Sequence, residues 1–191
     1  MREPSTATAT PAAPATYQDV VDAPAHLVAE LIGGTLHTHP RPAPRHATAG
    51  AKLIGKLGPP FDEGDDGPGG WRILYEPELH LDDEVLVPDL AGWRRTRMPE
   101  LPESAYFTLA PDWVCEILSA STRAHDLVRK RPLYAAASVA YLWLVDPVEQ
   151  ILEAFALADG HWRLIAAVEH DEAVCIPPFD AITFRLGDLW D

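Results

Sequence analysis

The residues of this chain that break their local pattern are carboxylates. In the apolar run WVCEIL, Glu116 stands where a strand buried on both faces should carry a hydrocarbon side chain. A buried carboxylate must be paired, protonated or bound to a metal. A salt bridge to one of the nearby arginines would satisfy it, and so would a metal ion. In EVLVPDLAGW an apolar run meets Pro88 and then Asp89. Pro88 cannot donate a ladder hydrogen bond, so the strand is at an edge, bulged or ending there. Such places are common beside active sites, although the dipeptide alone also reads as an ordinary turn. Further on, Asp126 and Lys130 are four residues apart and share one helix face. Two carboxylates on adjacent strands with a lysine nearby suit one chemistry. Asp and Glu oxygens hold Mg²⁺, and a bound metal lowers the pKa of a water and neutralises charge on a phosphodiester. A lysine stabilises the extra charge of the transition state. Flanked by acids, Lys130 should stay protonated, which suits an electrostatic or water-orienting role better than that of a general base.

The elements that must position these groups are readable in outline. Residues 1–16 are mostly Ala, Thr and Pro and are expected to form a disordered tail. Thr16 and Asp19 fit the start of a short helix over about 17–23. HLVAELIGGTLHTH predicts a β-hairpin turning at Gly33-Gly34. A proline-rich connection leads to a helix over HATAGAKLIGKLG, followed by a loop over 58–70. WRILYEPELHL and EVLVPDLAGW predict two strands joined at Asp82-Asp83, and residues 94–111 an irregular connection. WVCEIL, the helix STRAHDLVRKRPLYAAASV and the strand YLWLVDP form one strand–helix–strand unit. A hairpin around Asp159-Gly160 and a strand at AITFRL close the chain. The order predicts an α/β (α+β) domain over residues 17–191, with a mixed β-sheet flanked by helices.

Composition narrows the partners. The chain has 191 residues, enough for one full-sized domain and too few for two ordinary ones. The net charge is -14, and only Lys52, Lys56 and Lys130 are lysines. That argues against a protein coating nucleic acid through a broad basic surface, but not against a small basic patch. Residues 1–60 are near balance, with 5 basic and 4 acidic side chains, whereas residues 61–110 carry 4 and 12. No apolar run approaches the roughly 18 residues of a membrane span, and no secretory pattern stands at the N-terminus. Cys115 and Cys175 sit in apolar runs without metal-ligand spacing, so the expected compartment is the cytosol.

In the order AELIGGTL, PRPAPRH, VPDLAGW, PDWVCEILSAST, DLVRKRPLYA and YLWLVDP, the sequence resembles the Uma-type restriction endonuclease family, a branch of the PD-(D/E)XK nuclease superfamily. No single segment is specific; the ordered set is, and it reaches from about residue 17 to the C-terminus. The resemblance implies a restriction-endonuclease-like core and a metal-dependent endonuclease acting on DNA. It implies Mg²⁺, with Mn²⁺ as a substitute, held by Asp89, Glu116 and the carbonyl of Ile117. The superfamily places its lysine two residues after the motif acid. That position is Leu118 here, and the branch's pattern maps the lysine to Lys130, on the following helix. Glu30 matches an accessory acid, and Asp126 would orient Lys130. His46 would contact substrate or cap its helix. The charge run of Arg123, Arg129 and Arg131 would face DNA or simply form a solvated face, and a homodimer is an arrangement such nucleases adopt. His37 and His39 share a strand face as a metal pair would, but with no third ligand visible in sequence they read as a polar hairpin edge. Two other readings stay open: a catalytically silent nucleic-acid-binding or protein-interaction module of the same fold, and a metal-dependent hydrolase of small phosphoesters.

Overall fold

The structure, a computed structural model, describes residues 13–190. Most of the segment expected as a disordered tail, residues 1–12, lies outside the described residues; Ala15 is held by a hydrogen bond from its N–H to the Gly34 carbonyl. Helix α1 (Tyr17–Val21) starts at Thr16, whose N–H and hydroxyl both donate to Asp19 Oδ2 at 2.7 and 2.9 Å. Strands β1 (Leu27–Ile32) and β2 (Thr35–Pro40) form the expected hairpin. Its turn has positive φ at both Gly33 and Gly34, as the primed two-residue turns demand. Helix α2 (Pro44–Leu57) buries Ala49, Leu53 and Leu57 and runs on into a π-helical turn over Gly58–Glu63, where a loop was expected.

The two long strand patterns do not form two long strands. WRILYEPELHL divides into β3 (Trp71–Tyr75) and β4 (Leu79–Leu81). EVLVPDLAGW divides into β5 (Glu84–Leu86) and β6 (Leu90–Arg94). The break lies at Glu76, which takes φ 45°, and at Pro88, which has no N–H to give a ladder. Strands β4 and β5 pair around Asp82-Asp83 and join the first hairpin in a four-stranded sheet of order β2-β1-β5-β4. Strands β3 and β6 pair in a second sheet. Asp89 therefore stands where the chain passes from one sheet to the other.

The second sheet is completed by β7 (Trp113–Ile117), β8 (Tyr141–Asp146), β9 (Ile151–Ala158) and β10 (His161–Glu169), in the order β10-β9-β8-β7-β6-β3. Only the β7–β8 pair is parallel among its described neighbours. Their crossover is a helix in three pieces: α3 (Arg123–His125), a π-helical turn over Asp126–Lys130, and α4 (Arg131–Ala136). Every residue of β7 is buried. Trp113, Cys115 and Ile117 pack with α2 and the C-terminal segment, where Phe179 meets Phe61, Trp71, Trp113 and Trp143 edge-on or tilted. Val114 and Leu118 pack on the opposite face with Ile32, Leu86 and Tyr134, from the smaller sheet and α4. The expected final strand is shorter than AITFRL. It is β12 (Phe184–Arg185), paired with β11 (Ala173–Val174).

At the end of β8, Asp146 Oδ1 accepts the N–H groups of Val148 and Glu149, both at 3.0 Å, and Oδ2 pairs with Arg123. Burial opposes its ionisation, but those N–H groups and the guanidinium outweigh it and hold the carboxyl below its usual range. A carboxyl whose folded pKa is depressed adds stability above its unfolded value of about 3.9, and that stability is lost as the pH falls through the folded value. Asp146→Asn should therefore lower the melting temperature at pH 7, by an amount set by about 1–2 kcal/mol. The gap from wild type should close below about pH 4. Thermal melts across pH check this; a gap that stays constant down to about pH 2 contradicts it.

Candidate active site

Continuing the β6–β7 register, in which Leu90 faces Cys115, by one residue sets Asp89 across from Glu116. Antiparallel neighbours of this kind lie about 4.5–5.5 Å apart at Cα. Asp89 is held on both oxygens: Oδ2 accepts the Ile117 N–H at 2.6 Å, and Oδ1 lies 3.1 Å from His46 Nε2. His46 reaches it from the first turn of α2. Glu116 Oε1 accepts the Tyr134 hydroxyl at 2.5 Å and lies 2.8 Å from Lys130 Nζ.

Lys130 is 2% exposed and comes from the π-helical turn. Its Nζ donates to the Val87 carbonyl at 2.9 Å and lies 3.1 Å from Glu30 Oε1 and 3.8 Å from Asp126 Oδ1. Glu30, on β1, also accepts the Val87 N–H at 2.8 Å on Oε1, while its Oε2 lies 3.0 Å from His125 Nε2 and 3.6 Å from His39 Nε2. One lysine thus joins the first hairpin, the β5–β6 crossing and β7. A cavity of about 170 Å³ opens over this cluster; Glu30, His39, Arg41, His46, Asp89, Glu116, Asp126 and Lys130 line part of it.

The electrostatics follow from three carboxylates around one ammonium, with Asp89 beside them. Burial works against the charge on Lys130, but Glu116 and Glu30 outweigh it and raise its pKa well above the usual lysine range. Burial pushes the Glu116 carboxyl well up, against Lys130 and with help from Asp126, Asp89 and Glu30. Asp126 is raised by burial against Lys130 and Thr122. Glu30 takes the opposite direction: burial would raise it, yet Lys130, His125, His39 and the Val87 N–H hold it well below the carboxylate range. Burial lowers the imidazole pKa of His46, but the hydrogen bond and charge of Asp89 outweigh it and leave it raised.

The family model for Uma2, described as a putative restriction endonuclease, matches residues 15–186. The chain belongs to the Uma2 family. No curated protein matches it. Among solved structures it is similar to a putative nuclease of the DUF820 group from Anabaena variabilis, with 22% identity and a TM-score of 0.74. That similarity covers 93% of this chain and 98% of the other, and it establishes a shared fold. The mixed sheet flanked by helices is thus the nuclease-like fold expected from sequence.

In this Uma2 member the structure gathers Glu30, His46, Asp89, Glu116, Asp126 and Lys130 at one cavity. Lys130 reaches Glu116 from the helix, at 2.8 Å. Ile117, expected as a ligand through its carbonyl, does not line the cavity. Its N–H orients Asp89, and its side chain packs in the core near Gly50. Arg123 is paired with Asp146. The Arg131 guanidinium lies over the Phe155 ring at 4.3 Å. Arg129 is exposed and acts on His37 through its charge. Sequence reasoning missed Tyr134, His125 and Arg41, and it read His39 as part of a polar hairpin edge. Tyr134 continues the four-residue spacing of Asp126 and Lys130, a signal that was present. His125 carried none, because its partner Glu30 is distant in sequence, and His39 carried only the strand face that it shares with His37.

Proposed function

We propose that this protein is a divalent-metal-dependent endonuclease acting on DNA, with its site at Asp89 and Glu116. The observation that carries the reading is the pairing of these two carboxylates across adjacent strands, at a cavity that both line. Oxygen donors of this kind fit Mg²⁺ or Mn²⁺. When bound, the metal would generate a nucleophilic water and neutralise phosphodiester charge. The chain's own groups do the rest. His46 and the Ile117 N–H fix Asp89, and Tyr134 fixes Glu116. Lys130, held protonated and donor-saturated, supplies fixed positive potential for a phosphate and is no general base. Asp126 and Glu30 keep it in place.

Phosphates would meet Arg41 on the cavity wall, now 3.1 Å from Glu76, and the exposed Arg129. Arg123 and Arg131 would have to leave their present partners to take part. The test is cleavage of supercoiled plasmid by the purified chain with Mg²⁺ or Mn²⁺. Metal-dependent nicking or linearisation, abolished by chelator, is the expected result. The net charge of -14 favours one other reading. Hydrolysis of a small phosphodiester with no plasmid cleavage would make the protein a small-phosphoester hydrolase. Activity on neither substrate by folded protein would leave a silent module of the same fold.

A further inference from the structure

Beside the carboxylate pair, a second group of ligands converges, of which the proposed reaction uses only Glu30, through the oxygen that holds Lys130. Glu30, His39 and His125 each bring one ligand atom within 4.8 Å of the other two. Glu30 Oε2 stands 3.0 Å from His125 Nε2 and 3.6 Å from His39 Nε2. Zinc bonds of about 2.0–2.1 Å in a tetrahedron separate neighbouring donors by about 3.3 Å. These two separations bracket that value. His39 Nε2 is buried and has no hydrogen-bond partner among the described residues, an arrangement that wastes a polar atom unless something else takes it. His37 Nε2 is buried and unpartnered in the same sense, and its ring lies 4.8 Å from that of His125, centroid to centroid. The rings of His39 and His125 are 4.7 Å apart.

We propose that Glu30, His39 and His125 form a site for a transition-metal dication, Zn²⁺ foremost, distinct in ligands and in metal class from the Asp89–Glu116 pair. The donor set decides the class: two imidazoles and one carboxylate suit Zn²⁺, whereas Mg²⁺ wants oxygen ligands. The ion takes the place of the hydrogen bond between Glu30 Oε2 and His125 Nε2, and the bound imidazole carries its proton on Nδ1. A water completes the fourth position. Lys130 stands on the other oxygen of Glu30, at 3.1 Å, with Glu116 and Asp126 as its further counter-charges. The site ties β1, β2 and α3 together, so the bound ion should raise the melting temperature. The proposal stands whether or not the protein is a nuclease.

The test is titration of the full chain with Zn²⁺, and with Co²⁺ as a spectroscopic stand-in, in the presence of excess Mg²⁺. The wild type should bind one Zn²⁺ that Mg²⁺ does not displace. Its Co²⁺ form should show the visible absorption of a four-coordinate nitrogen–oxygen site. His39→Gln should weaken Zn²⁺ binding at least ~10-fold and remove the thermal shift. That variant should fold, because the His39 Nε2 it replaces makes no hydrogen bond among the described residues. Asp89→Asn should keep the Zn²⁺ site. Equal Zn²⁺ affinity in wild type and His39→Gln would overturn the proposal. So would loss of the site in Asp89→Asn, or a Co²⁺ spectrum of an all-oxygen octahedral ion in the wild type.

Discussion

Replacing Lys130 with methionine should destabilise the protein by about 3–5 kcal/mol, the usual cost of removing one partner from a buried ion pair. Methionine fills nearly the same volume, so packing contributes little to that figure. What remains is Glu116 at the vacated position, Glu30 without its strongest counter-charge, Asp126 close by, and the Val87 carbonyl without its donor. The carboxylates can escape only by taking up protons. Their folded pKa values then lie above the unfolded value of about 4.3, so folding binds protons and stability falls as the pH rises past that value. The deficit of Lys130→Met against wild type should therefore be larger at pH 8 than at pH 5.5. Adding Glu116→Gln should restore part of it, because one of the stranded charges is gone. Urea unfolding of the three proteins at both pH values checks this. A Lys130→Met variant within about 1 kcal/mol of wild type would show that the lysine is not the hub of the cluster.

The second large effect is on activity. Asp89→Asn keeps an oxygen to accept the Ile117 N–H and keeps the shape of the side chain, so the melting temperature should move by only a few degrees. It removes a negative charge from the metal pair and the counter-charge of His46. Cleavage should fall at least ~10²-fold, since even groups that merely orient metal ligands cost 10- to 100-fold. The His46 pKa, raised mainly by Asp89 against its burial, should drop in the variant. An NMR titration of the imidazole reads that change independently of turnover. Unchanged cleavage with a lowered His46 pKa would keep the contact and remove Asp89 from the chemistry.

Glu116 stood out in the sequence because it interrupts a run that should be apolar on both faces. Asp89 follows a proline that alone also reads as an ordinary turn, and the family resemblance is what singled it out. The hairpins at Gly33-Gly34 and Asp159-Gly160 were legible for an equally local reason, the positive φ their turns require. The division of 71–81 and 84–93 between two sheets was not legible. Alternation of apolar residues fixes which face is buried, not against which sheet, and only Glu76 and Pro88 mark the crossings. The histidines were the other blind spot. On sequence alone, His37 and His39 lie on a hairpin edge and His125 on a helix, and nothing local says that Glu30 brings His39 and His125 together. The helix itself was expected as one regular run, whereas a π-helical turn at Asp126–Lys130 turns Lys130 and His125 toward the same carboxylate.

The central claim is that Asp89 and Glu116 together hold a divalent metal. Calorimetric titration with Mg²⁺ of wild type, Asp89→Asn and Glu116→Gln tests it most directly, because Mg²⁺ avoids an imidazole-rich site and reports on the oxygen pair. The account predicts one Mg²⁺ per wild-type chain, with proton release as the pH is lowered toward the raised Glu116 and Asp126 values, and no measurable binding in either variant. Folded wild type that binds no Mg²⁺, or variants that bind it as well as wild type, would contradict it.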